Sequence, residues 1–164
     1  MKSAAIVCWA MVSPRIGIHF QILHSTMNGE TYKEILTSTV IPIFKERRNR
    51  DLIYQQDGAP AHFSREVRNV LEKEIPHRWI GRGSSFPWPP RSPDLSVLDF
   101  WLWGDIRHKL YQQPVPQNLD ELANKLTGLL ANVETDIIAK SFQSFLRRCH
   151  LCVEQSGSHF EHLL

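Results

Sequence analysis

The chain has 164 residues, a length that suits a single domain with a substantial buried core. With 42% hydrophobic and 22% charged residues it has the composition of a globular protein, which excludes an intrinsically disordered chain. The formal net charge is only +2, and three cysteines, an odd number, argue against a disulfide framework and fit a reducing compartment. No stretch reaches the roughly 18 apolar residues that span a bilayer, so we expect no membrane partner.

The first predicted element is a β-hairpin. Apolar runs at residues 4–12 and 17–23 read as two strands, joined by a turn at residues 13–16 that contains a proline. The first run follows Lys2, a basic residue before an apolar stretch, which is also how a signal peptide begins. This run is short, however, and leads into a second apolar run. A hairpin explains this pattern better than a cleavage site does.

The rest of the chain predicts mostly helices. Asn28 can cap a helix over residues 31–47, in which Pro42 predicts a kink or a break. The later elements are a strand at 52–56, a helix at 64–74, a short strand at 78–80 and helices at 96–111, 118–133 and from 135 onward. Strands followed by helices fit a mixed α/β sheet covered by helices. Pro114 and Pro116 mark a linker, which predicts a core at 4–113 and a C-terminal helical extension at 117–164 packed on it.

Positive charge is concentrated in two parts of the chain. Residues 45–50 hold four basic residues and one acid, and residues 63–91 hold six basic residues and three acids. A local basic excess suits a polyanionic substrate, although a solvated surface is the plainer explanation for any single arginine.

Two aspartates, Asp57 and Asp99, have distinctive settings and are separated by 41 residues. Asp57 ends the apolar strand in the run DLIYQQDGAPAH, and Asp99 lies in the first turn of an aromatic helix in the run WPPRSPDLSVLDFWLWG. Taken alone, each has a simpler explanation. Asp57 is explained as a turn residue before glycine, and Asp99 as a carboxylate that interacts with a helix dipole. Together they can share a divalent cation, because hard cations such as Mg²⁺ take oxygen ligands.

These two motifs resemble the catalytic core of mariner-type DNA transposases, members of the DDE/D superfamily, over a stretch from about residue 4 to the C-terminus. The resemblance implies an α/β fold with a ribonuclease-H-like mixed sheet flanked by helices, and metal-dependent DNA cleavage and strand transfer with Mg²⁺ or Mn²⁺. It also implies that Asp57 and Asp99 are the second and third of three catalytic, metal-binding carboxylates. The first belongs on a central strand further upstream. We therefore expect a sheet that lacks this strand, in a fragment of a longer protein or a truncated gene copy.

Further residues are candidates for contact with DNA. His62 is a candidate for touching a phosphate or orienting water, with a structural hydrogen bond as the alternative. Arg65, Arg68 and Arg91 are candidates for contact with the DNA backbone, where charge rather than base identity is read. Trp88 is a candidate for stacking on a base. The resemblance also implies transposon ends and target DNA as partners, a homodimer, and action in the nucleus.

Other residues near the motifs have plainer expected roles. Asp94 competes with Asp99 as a metal ligand, but we expect it to turn or cap the approach to the helix. Trp101 lies at helical spacing and is expected in the core. In the tail, Cys149, Cys152, His159 and His162 are residue types that zinc prefers, but their spacing is shorter than in common zinc fingers. Buried cysteines on a terminal helix explain the first two more simply.

Three functions compete at this point. The first is part of a metal-dependent DNA endonuclease, inactive on its own because two carboxylates cannot hold two cations in the required geometry. The second is a non-catalytic remnant that binds nucleic acid or a protein partner, mostly through charge. The third, a zinc-dependent interaction tail, is the least favoured.

Overall fold

The computed structural model describes residues 6–164. They form two compact units, one made of residues 6–25 and Ser92–Leu164 and the other of Thr26–Arg91. In the described part of the chain, no helix is long and apolar enough to cross a membrane. The two units are a division by packing, and the predicted domains at 4–113 and 117–164 stay a prediction.

The first unit contains the predicted hairpin. Strands β1 (Val7–Ser13) and β2 (Gly17–Leu23) pair antiparallel along their whole length, with Val7 opposite Leu23. Gly17 closes the turn at φ +72°, a left-handed conformation that glycine adopts without strain. The hairpin prediction is confirmed, although β1 ends one residue later than expected and residues 4 and 5 lie outside the described residues.

One face of the hairpin packs on helices. A π-helical turn (Leu98–Leu102) leads into α4 (Trp103–Leu110), and α5 (Leu119–Ala131) follows after a loop. The buried side chains of this core are Ala10, Leu102, Ile106, Leu126 and Leu130. Alternate strand residues pack against it because side chains of a strand alternate between its faces. Trp101 is partly buried against the same core, as predicted.

In the last long helix, α6 (Thr135–Glu154), the helical spacing of the apolar residues predicts that Ile137, Ile138 and Leu146 lie on one side. Ile138 is 1% exposed, whereas Ile137 and Leu146 are 38% and 58% exposed, so these two are not buried with Ile138.

The second unit begins with a long helical segment. Asn28 caps α1 (Gly29–Ile35) by accepting a hydrogen bond from the Thr31 amide at 2.9 Å, as predicted. A π-helical turn (Leu36–Val40) then joins α1 to α2 (Ile41–Lys45), and Pro42 lies in the first turn of α2. The expected disturbance at the proline is therefore a local change of hydrogen bonding. The helix does not end there, because proline is tolerated in a first turn.

A β-α-β unit follows in the same part of the chain. Strand β3 (Tyr54–Gln55), α3 (Arg65–Glu74) and strand β4 (Trp79–Ile80) are consecutive, and the two strands pair in parallel. Strand β3 is shorter than the buried strand predicted at 52–56. Ile53 lies outside it and is 59% exposed. Residues 6–164 thus contain two separate two-stranded sheets, one in each unit, and no further strand joins either sheet.

Candidate functional site

Asp57 lies directly after β3, at the start of a tight turn. Its Oδ1 atom accepts a hydrogen bond from the Ala59 amide at 2.9 Å and lies 2.6 Å from Nδ1 of His62. A 3₁₀ turn over Pro60–Phe63 brings His62 back to the carboxylate. The second carboxylate oxygen, Oδ2, takes no part in these contacts. The side chain is 46% exposed and therefore accessible to a ligand.

The charge of Asp57 is set by the same neighbours. The hydrogen bond from His62 lowers the pKa of the Asp57 carboxyl below its ordinary value of 3.8. Partial burial opposes the shift, while the amide of Ala59 and the charge of His62 add to it. Asp57 is therefore an anionic carboxylate at neutral pH, with its orientation fixed by two contacts.

A chain of buried polar side chains lies beneath this turn. The Tyr32 hydroxyl is 2.7 Å from the Tyr54 hydroxyl and donates to Oε1 of Gln56 at 3.0 Å, and Nε2 of Gln56 donates to the His62 carbonyl at 3.0 Å. The rings of Tyr32 and His62 also pack with their centres 4.1 Å apart. None of Tyr32, Tyr54 and Gln56 is more than 6% exposed. The network connects α1 to the turn that carries Asp57.

Sequence reasoning missed Tyr32 and Gln56 as supporting residues. A signal was present, because alternation in the strand places Tyr54 and Gln56 on the same face, and a glutamine on a buried face needs polar partners. The fit is close at Gly81, where an added Cβ would lie 2.9 Å from Cγ of Gln56.

The lowered pKa of Asp57 gives a testable pH dependence. A group whose pKa is lower in the folded state adds stability above its unfolded pKa and loses it as pH falls through the folded value. Because the side chain is half exposed, we expect Asp57→Asn to cost about 0.5 kcal/mol at neutral pH, the scale of an exposed ion pair. The difference should shrink as pH falls below 3.8. Urea unfolding of both proteins between pH 2 and 7 measures it.

The His62→Gln background is the control for this prediction. If His62 is the main cause, Asp57→Asn should cost less in that background than in the original chain. An equal cost in both backgrounds would show that the pair does not act through this contact.

Asp99 lies in the other unit, in the first turn of the helix that continues as α4. Its amide donates to the Ser96 carbonyl at 3.0 Å, and its side chain is exposed. The neighbouring Leu102 is completely buried in the core, which fixes the orientation of this turn. Asp99 thus offers an accessible carboxylate. Its convergence with Asp57 on one cation stays a prediction.

The loop before Asp99 is held by an arginine from α6. Nη1 of Arg148 donates to the Asp94 carbonyl at 3.1 Å, and its guanidinium lies 4.2 Å from the centre of the Phe100 ring. The Arg148 side chain is only 13% exposed. Asp94 itself lies in a 3₁₀ turn (Pro93–Leu95) that leads into the helix, as predicted. Sequence reasoning gave no sign of Arg148, because it is 54 residues away from Asp94.

The basic candidates differ in their surroundings. Arg65 and Arg91 are exposed, and Trp88 is half-buried. Arg68 is half-buried and lies over the ring of Phe63. The DNA-binding roles of all four stay predictions.

Arg78, in contrast, is engaged within the protein. Its guanidinium donates to the carbonyls of Asn49, Arg50 and Phe44 at 3.2, 2.9 and 3.1 Å. These contacts join the residue before β4 to the end of α2 and to the segment that follows it. Although it contributes to the basic excess of the sequence, this arginine therefore has a structural role.

The tail does not assemble a metal site. Cys149 and Cys152 are free and only partly buried, and burial raises the pKa of the Cys149 thiol. The rings of His159 and His162 stack with their centres 5.5 Å apart. Within residues 6–164, no group of three or more His, Cys, Asp or Glu side chains is placed to hold a metal ion.

Comparison with known proteins shows which proteins this chain is similar to. No protein-family model matches the chain. The Tc1 transposase of Caenorhabditis elegans is 27% identical over 135 residues, which are 82% of this chain and 46% of that protein. The Tcb2 transposase of Caenorhabditis briggsae is 22% identical over 93% of this chain and 53% of that protein. The Mos1 mariner transposase of Drosophila mauritiana is 26% identical over 73% of this chain and 32% of that protein.

Solved structures show the same fold. The catalytic domain of Mos1 matches with a TM-score of 0.71 at 24% identity, over 88% of this chain and 71% of that one. The Mos1 paired-end complex with Mn matches with a TM-score of 0.76 at 23% identity, over 94% and 44%. The chain resembles mariner-type transposases. The ribonuclease-H-like α/β fold class predicted from that resemblance is confirmed, and the mariner-type likeness extends into the C-terminal helices. The chain spans about half the length, or less, of the curated relatives it matches.

Proposed function

We propose that this chain is the catalytic part of a transposase-derived DNA endonuclease, in which Asp57 and Asp99 supply oxygen ligands to Mg²⁺ or Mn²⁺. The observation that carries the proposal is the Asp57 carboxylate, which is anionic and oriented by His62 and Ala59 at the end of a strand. The likeness to Mos1 supports it, since the Mos1 catalytic domain has been solved with Mg and with Mn.

Each of the two carboxylates by itself is chemically suited to such a cation. Asp57 leaves one oxygen outside its contacts with Ala59 and His62, and Asp99 has an exposed carboxylate. Hard divalent cations prefer carboxylate oxygens, and a lowered pKa keeps Asp57 ionised when a cation arrives. When bound in a pair, such cations activate the attacking oxygen and stabilise the leaving oxygen of a phosphodiester.

The chain's own side chains orient and hold these ligands. His62 keeps one oxygen of Asp57 occupied, so that the other oxygen is the one presented to a ligand. Gln56 holds the His62 carbonyl, which limits movement of the turn. Arg148 holds the loop that precedes Asp99. DNA is the proposed substrate, and Mos1 supports this because it has been solved in complex with a transposon end.

We expect the 164-residue chain by itself not to cleave DNA. Two carboxylates leave too few protein oxygens to hold two cations, and no group of three metal-binding side chains occurs in the part of the chain that the structure describes. A nicking assay on supercoiled DNA with Mg²⁺ or Mn²⁺ tests this expectation. Robust cleavage by this chain would contradict the two-carboxylate argument.

Metal binding itself is tested with Mn²⁺, whose effect on water proton relaxation reports the bound ion. We expect Asp57→Asn and Asp99→Asn each to weaken Mn²⁺ binding by about tenfold or more, because loss of even a supporting group costs roughly that much. Asp94→Asn is the matched control, since it removes the same charge from the loop before Asp99.

The outcomes of the Mn²⁺ titration separate the two acids. Retained affinity in Asp94→Asn together with losses in the other two variants supports the proposal. If Asp94→Asn loses the ion and Asp99→Asn keeps it, the second ligand is Asp94. If none of the three variants changes the affinity, the proposed metal site is wrong.

A second candidate function is a non-catalytic nucleic-acid-binding remnant. It is favoured by the lack of a three-ligand cluster among residues 6–164 and by the exposed arginines Arg65 and Arg91. In that case Asp57→Asn should leave DNA affinity unchanged or raise it, while Arg65→Ala or Arg91→Ala should lower it. For either function, the family resemblance leads us to propose a nuclear location and a homodimer.

A further inference from the structure

Two arginines converge on one aromatic ring in the Thr26–Arg91 unit. The guanidinium carbon of Arg68 lies 4.6 Å from the centre of the Phe63 ring, and that of Arg82 lies 4.1 Å from the same centre. The two guanidinium carbons are therefore separated by less than twice the longer of these two distances. Like charges at such a separation still repel each other, because it is at most slightly longer than the Debye length of about 8 Å in physiological salt.

Neither guanidinium has an acidic partner to relieve this repulsion. Within residues 6–164 neither one takes part in an ion pair or a hydrogen bond, and Nε of Arg68 is buried without any hydrogen-bond partner. A buried donor that is left unsatisfied costs free energy, and the cost is larger for a charged group. An anion that contacts both guanidinium groups would offset the repulsion and neutralise the half-buried charge.

The pair is supported by the backbone of the following loop. Gly83 has φ +86°, and a Cβ on it would lie 3.1 Å from Cδ of Arg68 and 3.3 Å from Cε2 of Phe63. The loop thus packs directly on the stem of Arg68 and on the ring edge. Arg68 extends from α3, and Arg82 precedes Gly83 in the loop after β4, so the β-α-β unit itself brings the two together.

We propose that Arg68 and Arg82, held on the ring of Phe63, together bind one phosphate group of a nucleic-acid backbone. Guanidinium groups recognise phosphate oxygens through paired hydrogen bonds, and an aromatic ring that restrains them lowers the entropy lost on binding. This inference rests on the proposed function, and it assigns a backbone contact to the same unit that carries Asp57. It adds Arg82 and Phe63 to the DNA-binding candidates and gives Arg68 a defined partner.

The test measures binding of a fluorescently labelled DNA duplex by anisotropy at several salt concentrations. We expect Arg68→Ala and Arg82→Ala each to weaken binding about tenfold at low salt, the effect of a lost charged hydrogen bond. Because the two share one phosphate, the double variant should lose less than the product of the two single losses. Each variant should reduce the salt slope by about one phosphate contact, roughly 0.9.

Two controls keep the result interpretable. Arg107→Ala removes the same charge from an exposed position on α4 and should change affinity by no more than about twofold. Arg82 is exposed, so Arg82→Ala is expected to fold and carries the test if Arg68→Ala does not. Arg82→Lys keeps the positive charge but lacks the paired donors of a guanidinium group. Its affinity should therefore lie between those of Arg82→Ala and the unaltered chain.

The outcomes distinguish this inference from the proposed function. If the unaltered chain does not bind DNA, both are overturned. If it binds and the variants at positions 68 and 82 bind equally well, only the inference is overturned. Single losses that multiply in the double variant, with a salt slope reduced by two contacts, would show that each arginine binds its own phosphate and that the shared site is wrong.

Discussion

Replacement of Tyr32 by alanine is expected to destabilise the Thr26–Arg91 unit by about 3–5 kcal/mol, the range for truncation of a large buried aromatic side chain. Tyr32 is completely buried, and its hydroxyl contacts Tyr54 and Gln56. The substitution leaves a cavity and removes a partner from both of these buried polar groups. Urea unfolding followed by circular dichroism measures the change in the free energy of unfolding.

Tyr32→Phe is the matched control because it keeps the ring and removes only the hydroxyl. It should cost about 1–3 kcal/mol, the penalty for leaving buried polar groups unsatisfied. Hydrogen exchange should rise in both variants at the amides of Tyr54 and Gln56, which donate to the carbonyls of Arg78 and Ile80. A cost below 1 kcal/mol for Tyr32→Ala would mean that the network does not support the Asp57 turn.

The second large effect is expected at Arg148. We expect Arg148→Ala to cost about 2–3 kcal/mol, from loss of a charged hydrogen bond and of the contact with an aromatic ring. Its guanidinium bonds to the Asp94 carbonyl, covers the Phe100 ring and lies 3.6 Å from Glu161. Without it, the loop that leads to Asp99 loses its attachment to α6.

A second measurement on Arg148→Ala separates local loosening from a general loss of stability. Hydrogen exchange of the amides of Ser96 and Asp99 should increase under conditions where α5 remains protected, because the loosened segment is local. Arg147→Ala is the matched control, since this exposed neighbour donates instead to the Leu163 carbonyl near the C-terminus. If both variants loosen the segment equally, Arg148 has no specific role there.

Together these two residues show why the proposed metal ligands need support from distant parts of the chain. Asp57 lies on a turn whose stability depends on Tyr32, 25 positions earlier in the sequence, and Asp99 follows a loop held by Arg148 from the last long helix. A ligand that shifts by even a fraction of an ångström binds a cation less well, which is why supporting groups matter for affinity.

Most of the local structure could be predicted because its causes are local. Asn28 and Asn118 cap helices by accepting hydrogen bonds from the amides three residues later, at 2.9 Å in both cases. The hairpin follows from two apolar runs and a turn with proline and glycine between them. The two motifs around Asp57 and Asp99 carried the resemblance to mariner-type transposases. Helix faces were predicted less well, as Ile137 shows, because burial depends on which neighbour covers the helix.

The sequence by itself thus determined the order of elements, the helix caps and the two candidate carboxylates, since each depends on residues a few positions apart. Only the tertiary structure decided which distant side chains support the segments that carry those carboxylates. The contacts of Tyr32 with Gln56 and of Arg148 with Asp94 join residues 24 and 54 positions apart. Such pairings form only when separate elements pack together, and no spacing in the sequence specifies them.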